Sequence, residues 1–244
     1  MSAAIRHYAL TLLILFSPLL SAAQTPQEKL LAQELSTYRL LTLFHLLRLE
    51  QGAPEVQLRL QAEVENFEQL MQAHSDESLA NRLQPHAQRF QSALLSGARQ
   101  SHDDIDFYAL GELSQSGHSL LQLIRQHQVE LADNPASMDL RQAILMQQIA
   151  AEYVREAASF DSGSAVYDRA QELSEPVDVL ARTFSQRLAQ LQQSTAESAD
   201  QRAKLEQVGV IWNYIEQPVL NYRERSLPFV ISRYSEQIVT LLVN

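Results

Sequence analysis

Apolar residues recur at spacings of three and four along most of the chain. Leu31, Leu35, Tyr38, Thr42, His45 and Leu49 trace one stripe, broadened by Leu41 and Leu46. Leu205, Val208, Trp212, Ile215 and Val219 trace a second, and Leu227, Ile231, Tyr234, Ile238 and Leu241 a third. A period near 3.6 residues places each set on one side of an α-helix, and strand-like alternation is absent. Breaks fall at Gly52-Ala53-Pro54, His74-Ser75-Asp76, Ser101 to Asp104 (ahead of a segment from Ile105), Asp133 to Ser137, Asp161 to Ser164, Ser194 to Ser198, and Ser226 with Pro228. Such clusters cap and separate helices, which predicts about eight helical segments. Pro85, Pro176 and Pro218 fall inside the periodic stretches and are expected to kink or split them.

The break at 133–137 divides the remainder into units 24–132 and 138–244. Leu83, Phe90 and Phe107 in the first unit are spaced as Leu205, Trp212 and Phe229 in the second. Repeated spacing of this kind reads as a divergent tandem duplication. The predicted fold is all-α: two tandem antiparallel four-helix-bundle-like units in one elongated helical domain.

Composition narrows the possible functions. The chain has no Cys, which removes disulfides, thiolate metal sites and thiol nucleophiles. Its 29 acidic residues against 19 basic give a net charge of −10, which disfavours nucleic acid and anionic membrane surfaces. Residues 1–23 read as a signal peptide, with Arg6 and His7 before the apolar run Tyr8 to Phe16. Leu19 and Leu20 extend the run, and Ser21-Ala22-Ala23 supplies small residues for cleavage before Gln24. Ser17 and Pro18 break the run, which is short for a membrane span. A periplasmic or secreted protein without membrane insertion after cleavage near Ala23 is expected.

Catalytic and metal motifs are sparse. His102-Asp103-Asp104-Ile105-Asp106 is the densest set of hard ligands, but it precedes a helix, where Asp serves as cap and dipole partner. It lacks the Gly and Glu positions of an EF-hand loop. His45, His74, His86, His102, His118 and His127 form no H-E-x-x-H or H-x-x-x-H pair. His45 sits on the first stripe and reads as a packed core residue. Ser114-Gln115-Ser116-Gly117-His118 places a hydroxyl near a base, but without the nucleophile elbow it reads as a helix cap or break. No Gly-rich phosphate loop occurs. No enzyme activity, cofactor or metal is expected.

The stretch from Arg141 to Tyr153, R-Q-A-I-L-M-Q-Q-I-A-A-E-Y, carries a more specific signal. It resembles the first-helix signature R-Q-R-M-L-S-Q-R-I-A-K-x-Y of the PilJ-type sensory domain, the N-terminal domain of type IV pilus methyl-accepting chemotaxis transducers. Arg141, Gln142, Leu145, Gln147, Ile149, Ala150 and Tyr153 match. Thr37-Tyr38-Arg39-Leu40-Leu41 is similar to the S-Y-R-L-L of the related nitrate/nitrite sensor-kinase domain. The resemblance covers roughly residues 138–244, and in the first unit it rests mainly on 37–41. It implies a helical sensory module. In the sensor-kinase relatives two motif helices meet at a dimer interface, where an arginine pair holds a small oxyanion.

Two departures matter. Alignment through Tyr38-Arg39 puts Glu34 at the first ligand-arginine position and Ala143 at the second, so the resemblance does not carry nitrate recognition. The final amphipathic helix ends the chain at Asn244 with no kinase or methyl-accepting segment, so a signal is expected to pass through a partner. Two motif helices in one chain would face each other as a pseudo-dimer, around a cleft lined by Glu34, Arg39, Arg141, Gln142 and Gln147. The expected function is therefore a soluble exported sensory or ligand-binding module with a small-molecule ligand. Its partner would be a membrane-bound signalling or envelope protein. The alternative is a ligand-free structural or protein-interaction bundle in the cell envelope. A sensor requires a polar cleft between the motif helices, and a docking bundle an apolar seam there with an exposed apolar patch elsewhere.

Overall fold

The computed structural model describes residues 25–73, 76–100, 106–131, 138–161, 175–194, 198–223 and 226–244. Residues 1–23, read above as a signal peptide, the expected linker 133–137 and residues 101–105 lie outside the described residues. Among those described the chain is all-α, with eight helices and no strand: α1 (Pro26–Leu49), α2 (Pro54–Gln72), α3 (Glu77–Ala98), α4 (Phe107–Glu130), α5 (Met138–Asp161), α6 (Val177–Ser194), α7 (Ala199–Leu220) and α8 (Pro228–Val243). No described helix is long and apolar enough to cross a membrane.

Local chemistry fixes the helix ends. Thr25 and Glu28 form a reciprocal capping box ahead of α1, with Pro26 in the first turn. Asp76 accepts from the Ser78 and Leu79 amides at α3, Asp106 from Tyr108 at α4, and Ser198 from Gln201 at α7. Gly52 turns the chain from α1 into α2 with φ 80°, and its amide donates to the Leu47 carbonyl at 2.8 Å. Three expectations change. Helix α4 begins at Phe107, capped by Asp106, rather than near Ile105. Pro176 stands immediately before α6 rather than inside a helix, where its missing N–H costs nothing, while Pro85 and Pro218 do lie inside α3 and α7. Ser114 to His118 neither caps nor breaks a helix. It lies within α4, where the Ser116 hydroxyl donates to the Glu112 and Leu113 carbonyls.

Hydrogen bonds give the helix directions. Lys29 Nζ donates to the Ala73 carbonyl at 2.7 Å and Gln33 Nε2 to the Leu70 carbonyl at 3.0 Å, and Ser36 donates to Glu63. Partners in α2 recede as α1 advances, so the pair is antiparallel. The same holds for α6 and α7, where Gln192 donates to the Leu205 carbonyl and Trp212 Nε1 to Ser185 Oγ at 2.9 Å. Helices α1 to α4 pack around one core and α5 to α8 around the other. Phe67 and Phe90 stack edge-on at 5.9 Å in the first, and Phe184 lies 4.5 Å from Trp212 in the second.

Helices α1 and α5 lie against each other at the centre. Most of α1 is buried on every side, including Gln33, Ser36, Thr37, Thr42 and His45. The two cores also trade residues across the seam. Leu31, Leu35 and Tyr38 of α1 pack into the second core, and Val154 of α5 packs into the first. The two halves therefore share their apolar contacts and are expected to unfold together.

Candidate ligand-binding cleft

One helical face from each of three helices meets in a groove. Helix α1 presents Leu31, Glu34, Tyr38, Leu41 and His45, which are spaced as a single stripe. Helix α4 presents Ser114, His118, Leu121, Arg125 and Gln128, and α5 presents Arg141, Leu145, Gln148, Glu152 and Arg155. Leu180, Thr183 and Arg187 of α6 close the fourth side, and the cavity holds about 1150 Å³.

The most ordered polar group is built around Glu34. Its side chain is buried, and it accepts from Arg125 Nε at 2.7 Å and from Gln128 Nε2 at 2.8 Å. The Arg125 guanidinium also donates to Tyr38 Oη at 2.7 Å and lies 5.8 Å from the Tyr38 ring centre. A longer contact of 3.5 Å reaches Gln148 on α5. Arg125 thus ties α1, α4 and α5 together while 47% of its side chain stays open. Burial opposes its charge, but Tyr38 and Glu34 outweigh burial and hold its pKa above the ordinary arginine value. Burial raises the Tyr38 phenol above its usual value despite Arg125, so it stays protonated and accepts the guanidinium bond as a neutral hydroxyl.

The opposite end is lined differently. Arg155 donates to Glu152 and to Glu156, both at 2.9 Å. His45 is buried beside them, its ring edge-on to Phe44 at 5.2 Å, and its Nδ1 has no hydrogen-bond partner. Burial, then Arg48 and Arg155, push the His45 pKa well below the usual histidine value, so the ring is neutral.

The five residues expected at the cleft separate into two groups. Glu34 and Arg141 line it. Arg39 is half-buried on α1 and does not line it. Gln142 is buried and donates to the Phe184 carbonyl at 3.0 Å, joining α5 to α6. Gln147 donates to Thr42 Oγ1 at 2.9 Å and joins α5 to α1 across the seam. Tyr153, the last residue of the motif, accepts from the Leu227 amide at 2.9 Å and positions the start of α8. Ala143 is fully buried. Gln142, Gln147 and Tyr153 of the motif thus hold helices together, while Arg141 and Leu145 reach the cleft.

Arg125 and Arg187 were missed by the sequence reading, although both lie on amphipathic helices. The stripe Ser114, His118, Leu121, Arg125 and Gln128 has helical spacing, but it is polar enough to read as a solvated face. Among the described residues no group of three or more His, Asp or Glu side chains is placed to hold a metal. Compared with protein-family models, curated proteins and solved structures, the chain matches none.

Proposed function

We propose that this protein is an exported helical sensory module. It binds a small ligand in the α1–α4–α5–α6 cleft and reports occupancy to a membrane-bound partner by contact. The observation that carries this reading is the concentration of arginines at the cleft. Arg125, Arg141, Arg155 and Arg187 face Glu34, Glu152 and Glu175 there, in a chain of net charge −10. A ligand in this position touches α1 and α5 together, and so acts on both halves at once. Differential affinity for two packings of α1 against α5 would make binding transmissible. The polar link between Gln147 and Thr42 fits such a seam better than an unbroken apolar one.

The resemblance of residues 138–244 to PilJ-type domains supports the same reading. A tandem origin agrees with element positions. The 122-residue offset from Leu83 to Leu205 also separates the caps Asp76 and Ser198, the 22-residue helices α3 and α7, and Pro54 from Pro176. Phe90 and Trp212 are buried at matching positions, and Phe107 and Phe229 are exposed at matching positions. A docking bundle is the second reading, favoured by Val210 and Tyr214, which stand exposed one turn apart on α7.

A thermal-shift screen against small anions, amino acids and divalent cations tests the proposal. A ligand at a hundredfold excess over its Kd adds about 2.7 kcal/mol to stability, which reads as a dose-dependent rise in Tm. The rise should vanish in Arg187→Ala and persist in Arg39→Ala. A flat response across the panel would favour the docking bundle.

A further inference from the structure

His45 stands where the two halves meet, and its surroundings leave no place for a proton's charge. It belongs to α1 and lines the cleft that α1 shares with α5. One turn earlier, Thr42 accepts from Gln147 of α5. The ring is 5% exposed, and its Nδ1 is shut off from solvent with no hydrogen-bond partner. Two cations act on it: Arg48, one turn further along α1, and Arg155 on α5. Each is 8% exposed, so neither turns into water without a shift of its helix. The α5 acids Glu152 and Glu156 are both bonded to Arg155. Glu34, the cleft acid on α1, lies about three turns away at 3.6 residues per turn and accepts from Arg125 and Gln128. Helix α4 brings Ser114 and His118 to the cleft wall, and Glu175 stands at the start of α6. A neutral ring fits this setting, whereas a protonated one adds a third cation to a dry contact.

We propose that the protein senses acid: a proton taken up by His45 selects a packing in which α1 stands off α5 and the seam between the halves opens. The helices persist, and what changes is how the two halves sit against each other. Burial and the two arginines hold the His45 pKa in the closed packing well below 6.5, and a hydrated ring titrates near 6.5. The open packing therefore binds more protons, and falling pH favours it. The ratio of open to closed rises up to about tenfold for each pH unit below 6.5, until the closed ring itself takes the proton. Opening uncovers Val154 of α5, which packs into the first core, and Leu31 and Leu35 of α1, which pack into the second. This response needs no ligand, so it stands or falls apart from the ligand-binding reading.

The chain has no Cys, so spin labels can be placed uniquely on the full chain at Gln126→Cys of α4 and Gln190→Cys of α6, exposed positions in different halves. Double electron–electron resonance from about pH 7.5 to about pH 4.5 should show a second distance that grows below pH 6.5 and disappears on return to neutral pH. Far-UV circular dichroism should stay constant over the same range. In His45→Phe and in His45→Gln, neither of which can take up the proton, the first distance alone should persist to the lowest pH. His118→Gln, which removes the exposed histidine of the α4 wall, should respond as the parent chain does. A single distance at every pH would overturn the proposal. So would a second distance that survives in the His45 variants, or one that appears only with loss of the helical signal.

Discussion

Replacing Arg125 by Met should destabilise the protein more than replacing Glu34 by Leu, although the two form one ion pair. The partners differ in environment: the Glu34 side chain is 5% exposed and that of Arg125 47%. Removing Arg125 strands a buried carboxylate that still accepts from Gln128, at a cost of about 2–3 kcal/mol. Removing Glu34 lets the half-open guanidinium turn into water and costs about 1 kcal/mol. In the double variant the buried charge and its partner are both gone, so the loss should be near 1 kcal/mol and the coupling about 2 kcal/mol. That lies below the roughly 4 kcal/mol of a unit-charge pair at 4 Å in an effective dielectric of 20, as solvent over Arg125 requires. Urea denaturation at pH 7 by far-UV circular dichroism measures all four stabilities, and Trp212 fluorescence is an independent probe of the second core. Equal costs for the single variants, or a coupling under about 0.5 kcal/mol, would refute the asymmetry argument.

His45 predicts an acid-sensitive stability. Its folded pKa lies below the unfolded value of 6.5, so the unfolded chain binds the extra proton and stability falls as pH drops from 6.5 toward 5. The slope should reach up to about 1.4 kcal/mol per pH unit and flatten in His45→Phe, checked by urea midpoints across that range. Gly111→Ala should stabilise by about 0.5–1 kcal/mol, because the added Cβ meets nothing within 4 Å on a helix. Gly117→Ala should gain less, because its Cβ would stand 3.3 Å from the buried Phe90 ring, and paired thermal melts separate the two. Phe90→Ala should cost about 3–5 kcal/mol in the same melts, since the ring is fully buried against Phe67.

The helical class and most helix ends were legible because their chemistry is local. Thr25, Asp76 and Ser198 are strong caps, and a period near 3.6 is hard to mistake over 20 residues. The central role of α1 was not legible. A stripe of apolar residues predicts a helix with one buried face, yet Gln33, Ser36, Thr37 and Thr42 are also buried. Each donates to a partner that composition does not announce. Thr37 and Thr42 donate back to the carbonyls of Gln33 and Tyr38, and Ser36 donates to Glu63 on α2. A helix enclosed by three neighbours tolerates polar residues wherever a carbonyl or carboxylate comes within reach, and that reach is tertiary.

The candidate site shows the same limit more sharply. Aligning the two motif helices puts Glu34 and Ala143 where the resemblance asks for arginines, which predicts the loss of the cationic site. In the fold Ala143 is core, and the positive charge at Glu34 comes from Arg125, 91 positions away on α4. A bundle makes this exchange easy, because a groove between helices is lined by one stripe from each. A guanidinium can enter from any of them and end near the same point. The chemistry of such a site is therefore better sought by assembling stripes from helices that pack together than by following one motif. Applied here, that rule joins Arg141 of the motif to Arg125 and Arg187 outside it, and it sets Gln142 and Gln147 aside as interhelical ties. The rule also predicts which substitutions matter. Arg187→Ala should abolish a ligand-induced rise in Tm, although it lies outside both motif stretches. Arg39→Ala, inside the Thr37 to Leu41 motif but off the cleft, should leave that rise intact. The opposite pattern would return the site to the motif helices alone.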